Sequence, residues 1–131
     1  MTKHGILNPE LSAAIAGIGH TEYFVIADPG LPLPNGVKII DLSLTKGIPS
    51  FLDTLKAVSE ELVIESFQLA EEMKTSSPEL HAKTCKLLKG LPHQYIPHEN
   101  LKKMLKQAKV IVRTGETTPY ANIILECGVN F

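Results

Sequence analysis

The sequence predicts a single α/β domain, with a mostly parallel or mixed sheet and helices on both faces of that sheet. Short apolar runs alternate with segments of helical periodicity, and several of the helical segments begin at caps that contain proline. No linker, repeat or low-complexity stretch divides residues 1–131. The length of 131 residues and the mass of 14.3 kDa also suit one domain.

The first two elements are a helix and a buried strand. Asn8 followed by Pro9 predicts a helix start, because Asn caps free amides and Pro fits the first helical turn. An apolar stripe continues to Ile18, and we expect Gly19 to end the helix in the left-handed conformation. Residues 23–27 are apolar without alternation, which predicts a strand covered on both faces.

The remainder of the chain continues this alternation. In order, the pattern predicts a strand at 37–42, a helix at 51–58, a strand at 62–67 followed by a helix through 73, a helix from a Ser77 cap to Gly90, a short strand at 95–96, a helix at 101–108, and strands at 110–112 and 122–125. The close spacing of the last two strands permits an antiparallel pair.

Composition excludes several classes of function. A net charge of −1 and a single arginine, Arg113, argue against nucleic acid or an anionic membrane as a partner. No apolar run approaches the length of a membrane span. Cys85 and Cys127 match no metal-ligand spacing, so we expect reduced thiols in a cytoplasmic protein. The sequence also has no phosphate-binding glycine loop, and we expect neither a metal nor another cofactor.

Two polar residues near the first strand are candidates for chemistry. His20 follows the first helix, whose carbonyl-rich end favours a protonated imidazole that can act as an acid. Asp28 directly follows the strand at 23–27, where ligands of open α/β sheets bind. Asp28 can orient the ring of His20 or bind a sugar hydroxyl directly. The alternatives are a helix-end histidine that only offsets the dipole and an aspartate that only caps a turn.

Two further groups stand at the ends of predicted elements. His98 follows Pro97 at the start of the last helix, and Lys102, one turn later, can reach a ligand held there. Tyr120-Ala121-Asn122 precede the last strand, and the Asn amide offers a donor and an acceptor that suit neighbouring sugar hydroxyls. The alternatives are a helix cap for His98, a solvated face for Lys102 and an ordinary turn for the tripeptide.

The chain closes on an apolar aromatic residue, Phe131, with no charged tail. A large apolar side chain favours burial over exposure to water. Burial within the monomer and burial at a subunit interface are equally compatible with the sequence.

Taken together, these motifs resemble the family of ribose pyranases and fucose mutarotases. The resemblance runs from end to end, and Pro29 stands where alanine is usual. It is carried by residues 4–8, 19–21, 28–32, 41–44, 47–51 and, most specifically, 113–125. It implies interconversion of the pyranose and furanose forms of D-ribose without a cofactor. It also implies a cytoplasmic homo-oligomer, a ring-based decamer with sites between subunits.

By motif match, the resemblance implies that His20 is the proton donor and that Asp28, His98 and Tyr120-Ala121-Asn122 bind the sugar. The sequence identifies no general base, for which water or another site residue remains open. Two alternatives stay beside this interpretation: the sibling activity on L-fucose, and a sugar-binding oligomeric component without turnover.

Overall fold

The computed structural model describes residues 1–131 as five α-helices and six strands. The helices are α1 (Pro9–Gly17), α2 (Phe51–Ser59), α3 (Glu72–Ser76), α4 (Pro78–Leu87) and α5 (His98–Met104), which continues as a 3₁₀ turn at Leu105–Gln107. The strands are β1 (Tyr23–Ala27), β2 (Lys38–Asp41), β3 (Ile64–Ala70), β4 (His93–Ile96), β5 (Val110–Arg113) and β6 (Ile123–Cys127). None of these helices is long and apolar enough to cross a membrane.

The six strands form one mixed sheet in the order β2-β5-β1-β6-β3-β4. The pairs β2·β5, β1·β5 and β3·β4 are parallel, whereas β6 is antiparallel to both β1 and β3. The α/β class predicted from the sequence is therefore confirmed. The antiparallel pair that the spacing of the last two strands permits is not formed, because β1 lies between them.

One face of the sheet is covered by four helices. Leu11 of α1, Phe51 of α2, Met73 of α3 and Leu80 of α4 belong to one buried cluster with Phe24 of β1 and other strand residues. This cluster is the larger of two cores, and its burial supplies most of the apolar contribution to folding.

The opposite face is covered mainly by α5 and the turn that follows it. Leu101 and Leu105 pack there against Val25, Ala27 and Ile111. Because alternate residues of β1 enter the two cores, the strand from Phe24 to Ala27 is fully buried. This confirms the predicted strand covered on both faces and the helices on both sides of the sheet.

The predicted helix ends are correct in part. Asn8 caps α1, since its side-chain oxygen accepts the N–H of Leu11 at 2.9 Å. Ser77 does not cap α4, because its hydroxyl instead donates to the carbonyl of Pro119 across the fold.

The prediction for Gly19 is wrong. The helix α1 ends at Gly17, and Ile18 leaves it in an extended conformation, so no left-handed residue is needed there. The left-handed position is Thr21, with φ of 68°, where the chain turns into β1 and the Thr21 N–H bonds the carbonyl of Cys127 at 2.8 Å.

Candidate functional site

Most of the predicted site residues meet at the end of the sheet where the carboxyl ends of the parallel strands lie. We call this end the carboxyl edge. Asp28 follows β1 and His98 follows β4, and both strands end at this edge. Tyr120 and Asn122 precede β6, which runs in the opposite direction and therefore begins where its neighbours end. The topology thus brings together residues that are about a hundred positions apart, as expected for ligand sites in open α/β sheets.

Asp28 and Asn122 form a reciprocal pair at this edge. The Asp28 backbone N–H donates to Asn122 Oδ1 at 2.9 Å, and Asn122 Nδ2 donates to Asp28 Oδ2 at 3.0 Å. Asn122 is completely buried, so its amide is held in one orientation. The other Asp28 oxygen accepts the N–H of Gly30 at 2.9 Å. The remaining acceptor positions of Asp28 are left for a ligand, and the second amide hydrogen of Asn122 has no partner within the chain.

The loop that carries Asp28 is held by Arg113. Its Nε and Nη2 donate to the carbonyl of Pro29, at 3.3 and 2.9 Å. Its Nη1 donates to Asp41 Oδ2 at 3.0 Å, tying the ends of β1 and β2 together. Hydrogen bonds from the hydroxyl and N–H of Ser43, and the charge of Arg113, hold the pKa of Asp41 below its usual value. Pro29, the departure from the family pattern, is therefore anchored through its own carbonyl.

His98 and Tyr120 pack edge to face beside this pair. Their ring centroids are 5.0 Å apart with planes at 81°. His98 Nδ1 is buried and has no hydrogen-bond partner in the chain, which is uncommon for a buried polar atom. Glu72 accepts the backbone N–H of His98 with both carboxylate oxygens at 3.1 Å, fixing the start of α5. Tyr120 has a φ of 61°, and such strained non-glycine residues concentrate at functional sites.

The structure also places the two remaining residues predicted to contact a ligand. Lys102 lies one turn after His98, with Nζ 2.7 Å from Glu99 Oε1. Ala121 is completely buried in the larger core, which leaves its backbone as the part that can meet a ligand. No group of three or more His, Cys, Asp or Glu side chains that could hold a metal ion is present.

A polar cleft of roughly 740 Å³ opens at the carboxyl edge. Its walls are residues 28–30, residues 46–47 and residues 116–119. Partial burial acts to raise the pKa of Glu116, but hydrogen bonds from Phe51, Thr118 and Thr117 outweigh it, so the pKa lies below its usual value. The cleft is therefore lined by two carboxylates, the ammonium group of Lys46, hydroxyls and backbone groups, which suit a ligand rich in hydroxyls. Of the predicted site residues, Asp28 alone lines it.

His20 lies at the opposite edge of the sheet, which we call the amino edge. It precedes β1, whereas Asp28 follows that strand, so the two residues are separated by roughly 16 Å at ~3.3 Å per residue. Within the chain, Asp28 therefore does not orient the ring of His20. Glu65 of β3 contacts that ring instead, with Oε1 2.9 Å from Nε2. The helix α1 ends three residues before His20, at Gly17.

Three contacts of these two edges were missed from the sequence: Glu65 beside His20, Glu72 on His98, and Arg113 on Pro29. Glu65 and Arg113 belong to strands and Glu72 to a short helix, and although Arg113 begins the motif at 113–125, that motif does not indicate its partner. Their partners are 26 or more positions away in the chain, so only the strand order could have revealed them.

Comparison with known proteins finds relatives that are similar over the whole chain. D-ribose pyranase of Geobacillus kaustophilus is 55% identical over all 131 residues, which cover 96% of that protein. D-ribose pyranase of Geobacillus thermodenitrificans is 53% identical, with 100% and 99% of the two chains covered.

Solved structures extend the similarity to the fold. The structure of Bacillus subtilis RbsD complexed with D-ribose is 47% identical, has a TM-score of 0.96 and is matched over 100% of both chains. The fucose mutarotase of Streptococcus pneumoniae in complex with L-fucose is 25% identical, with a TM-score of 0.86 over 99% of this chain and 100% of that one. The model of the RbsD / FucU transport protein family matches residues 1–130. The chain therefore belongs to the RbsD/FucU family.

Proposed function

We propose that this chain is a D-ribose pyranase, a cofactor-independent isomerase that interconverts the pyranose and furanose forms of ribose. The observation that carries the proposal is full-length identity of 53–55% to proteins named D-ribose pyranase. The polar cleft at the carboxyl edge, with the Asp28–Asn122 pair and the unpartnered Nδ1 of His98, supports a sugar as the ligand.

The residues then divide between binding and proton transfer. Asp28, His98, the tripeptide Tyr120-Ala121-Asn122 and, one turn from His98, Lys102 bind the sugar hydroxyls. His20 protonates the ring oxygen as the bond from that oxygen to the anomeric carbon breaks. The anomeric hydroxyl loses its proton to water, which leaves the open-chain aldehyde. Reclosure through a different hydroxyl gives the other ring size, and a general acid of this kind contributes about 10²–10⁴-fold.

The separation of the two edges supports a site built by two subunits. No pentose spans the length of β1 to contact both His20 and Asp28 of the same chain. A head-to-tail contact, in which the amino edge of one subunit covers the carboxyl edge of the next, brings His20 to the sugar. Such heterologous contacts close into rings when the rotation permits.

Exposed apolar side chains occur at both edges. At the carboxyl edge, Leu44 is 79% and Ile48 is 53% exposed. At the amino edge, Leu7 is 69% exposed, Val63 is 40% exposed and Phe131 is fully exposed. Of the two alternatives for Phe131, burial within the monomer is therefore not found. The exposure of both patches supports a ring in which they cover each other, and we propose a decamer built from such rings in the cytoplasm. Sedimentation at about ten times the chain mass supports the decamer, and any smaller stable mass refutes it.

The first experiment measures ring-form exchange of ribose by NMR saturation transfer near neutral pH, with chelator present. Saturation of a pyranose anomeric signal is expected to weaken the furanose signals only when the protein is added. L-Fucose is measured in parallel, because a larger acceleration there assigns the sibling activity instead. Ribose binding without acceleration of either sugar identifies a binding component and refutes the proposal.

A mixing experiment tests the shared site. His20→Ala and Asp28→Ala each inactivate the site, but in a co-expressed mixture some sites receive intact His20 from one subunit and intact Asp28 from its neighbour. Random assembly restores about a quarter of the sites. A mixture as inactive as either parent shows that both residues act from the same chain.

A further inference from the structure

Glu65 occupies an irregular position in its strand. The pairing of β3 with β6 runs Ile64 with Cys127 and then Ser66 with Glu126, so two steps along β3 match one step along β6. Glu65 is the extra residue of this β-bulge. Bulges redirect a side chain and are found beside active sites more often than elsewhere. The redirected side chain is a carboxylate that is 45% exposed at the amino edge.

The redirected carboxylate of Glu65 contacts the ring of His20. Glu65 Oε1 lies 2.9 Å from His20 Nε2, and this is the one hydrogen bond of the His20 ring. The neighbouring strand leaves room for the carboxylate: a Cβ on Gly128 would stand 2.6 Å from Glu65 Cγ and 3.1 Å from Oε1. On the other side, the left-handed Thr21 is tied to the Cys127 carbonyl and fixes the backbone that follows His20. Bulge, glycine and strained threonine together fix the two side chains against each other.

We infer that Glu65 is a positioning residue for His20: it accepts the Nε2–H, so that the proton exchanged with the sugar is carried on Nδ1. The inference rests on the proposed function and adds a residue and an atom to it. With Nε2 occupied, Nδ1 is the ring nitrogen that remains free. A carboxylate on one imidazole nitrogen selects the tautomer and stabilises the imidazolium that forms at the other.

The proton movements balance without a further reactant. In ring opening, Nδ1–H of the His20 imidazolium protonates the ring oxygen as the bond to the anomeric carbon breaks, and water takes the proton of the anomeric hydroxyl. In reclosure, the attacking hydroxyl returns its proton to Nδ1 as the aldehyde oxygen regains one from the hydronium ion. Glu65 keeps the Nε2–H hydrogen bond throughout and gives up no proton.

A double-variant cycle on the assembled protein tests this inference. Ribose exchange is measured for wild type, Glu65→Gln, His20→Ala and the double variant. We expect Glu65→Gln to lower kcat about tenfold or more, with KM unchanged, because the sugar is held by the opposite edge. In the double variant we expect no loss beyond that of His20→Ala, because Glu65 acts only through His20. Glu126→Gln is the matched control, since that carboxylate contacts Ser66 on the same two strands and is expected to leave kcat unchanged.

The possible outcomes separate cleanly. Wild-type protein that fails to accelerate exchange refutes the proposed function itself. Active wild type with a fully active Glu65→Gln, or with losses that multiply in the double variant, overturns the inference alone. Should Glu65→Gln fail to assemble, Gly128→Ala displaces the carboxylate while retaining it. We expect this variant also to lower kcat at constant KM, and an unchanged kcat overturns the inference.

Discussion

The two edges of the sheet differ in how completely the chain organises them. At the carboxyl edge, Asn122 is fully buried and locked to Asp28 by two hydrogen bonds, and Arg113 holds the adjoining loop. At the amino edge, His20 and Glu65 are about half exposed and share a single contact. The chain alone thus preorganises the half that we propose binds the sugar. At the amino edge, proposed to supply the proton, the chain sets the geometry of His20 and Glu65. The polarity of their surroundings depends on the surface that covers them.

The largest effect is expected from removing the acid at the amino edge. His20→Ala should slow ribose exchange by about 10²–10⁴-fold, because a general acid is lost. The unfolding temperature should stay unchanged, since an exposed contact of this kind contributes little stability. Saturation transfer and thermal unfolding measure the two quantities, with His4→Ala as an exposed control. A wild-type exchange rate in His20→Ala would refute its role as acid.

At the carboxyl edge, a loss of stability is expected together with a loss of ribose binding. Asn122→Ala should lower the free energy of unfolding by about 1–3 kcal/mol, because it leaves the Asp28 N–H without its partner and a buried gap behind. Ribose affinity should fall as well. Urea unfolding and ribose titration are the measurements, and exposed Asn130→Ala is the control. Normal stability in Asn122→Ala would mean that the edge is not organised by this pair.

A smaller effect, on the stability of the fold, is expected when the pH is lowered. Asp41 and Glu116 both lie at the carboxyl edge with a pKa below the usual value, so each stabilises the fold above its unfolded-state pKa. That stability should disappear as pH falls from about 4.5 through the lower pKa values of the folded protein. Stability measured against pH checks this. Glu116→Gln should make stability depend less steeply on pH in the acid range. An unchanged dependence would contradict the stabilising role of Glu116.

The smallest effect concerns the chemical reactivity of Cys127, which is buried beneath the amino edge. Cys127 is fully buried, and burial, reinforced by the charge of Glu22, raises its pKa to about 12. Iodoacetamide at pH 8 should therefore leave Cys127 unmodified, whereas partly exposed Cys85 serves as the internal positive control. Mass spectrometry after proteolysis reads both sites. Rapid labelling of Cys127 would show that this edge opens more than its packing indicates.

Local sequence patterns predicted the elements well where the determinants are local. The Asn8 cap depends on a contact within a few residues, and it is found. The apolar run of β1 indicates burial on both faces whatever the partners are, and that burial is also found. The residues of the carboxyl edge were also identified, because polar side chains at the ends of strands are visible in sequence.

Long-range pairing accounts for what was missed. Ser77 is a residue type that commonly caps helices, but its hydroxyl donates to the carbonyl of Pro119, 42 positions away. The insertion of β6 between β1 and β3 is decided by the packing of the whole sheet. That same insertion creates the bulge at Glu65, so the partner of His20 had no signal in the residues around it.

The strand order also constrains how the sheet can be completed during folding. Without β6, the sheet falls into two separate parts, β2-β5-β1 and β3-β4, with nothing between them. The strand that joins them follows the other five in the sequence, and both of its partners come from far upstream. A chain in which β6 has not yet docked exposes the facing sides of β1 and β3, whose unpaired backbone groups can bind chaperones or lead to aggregation.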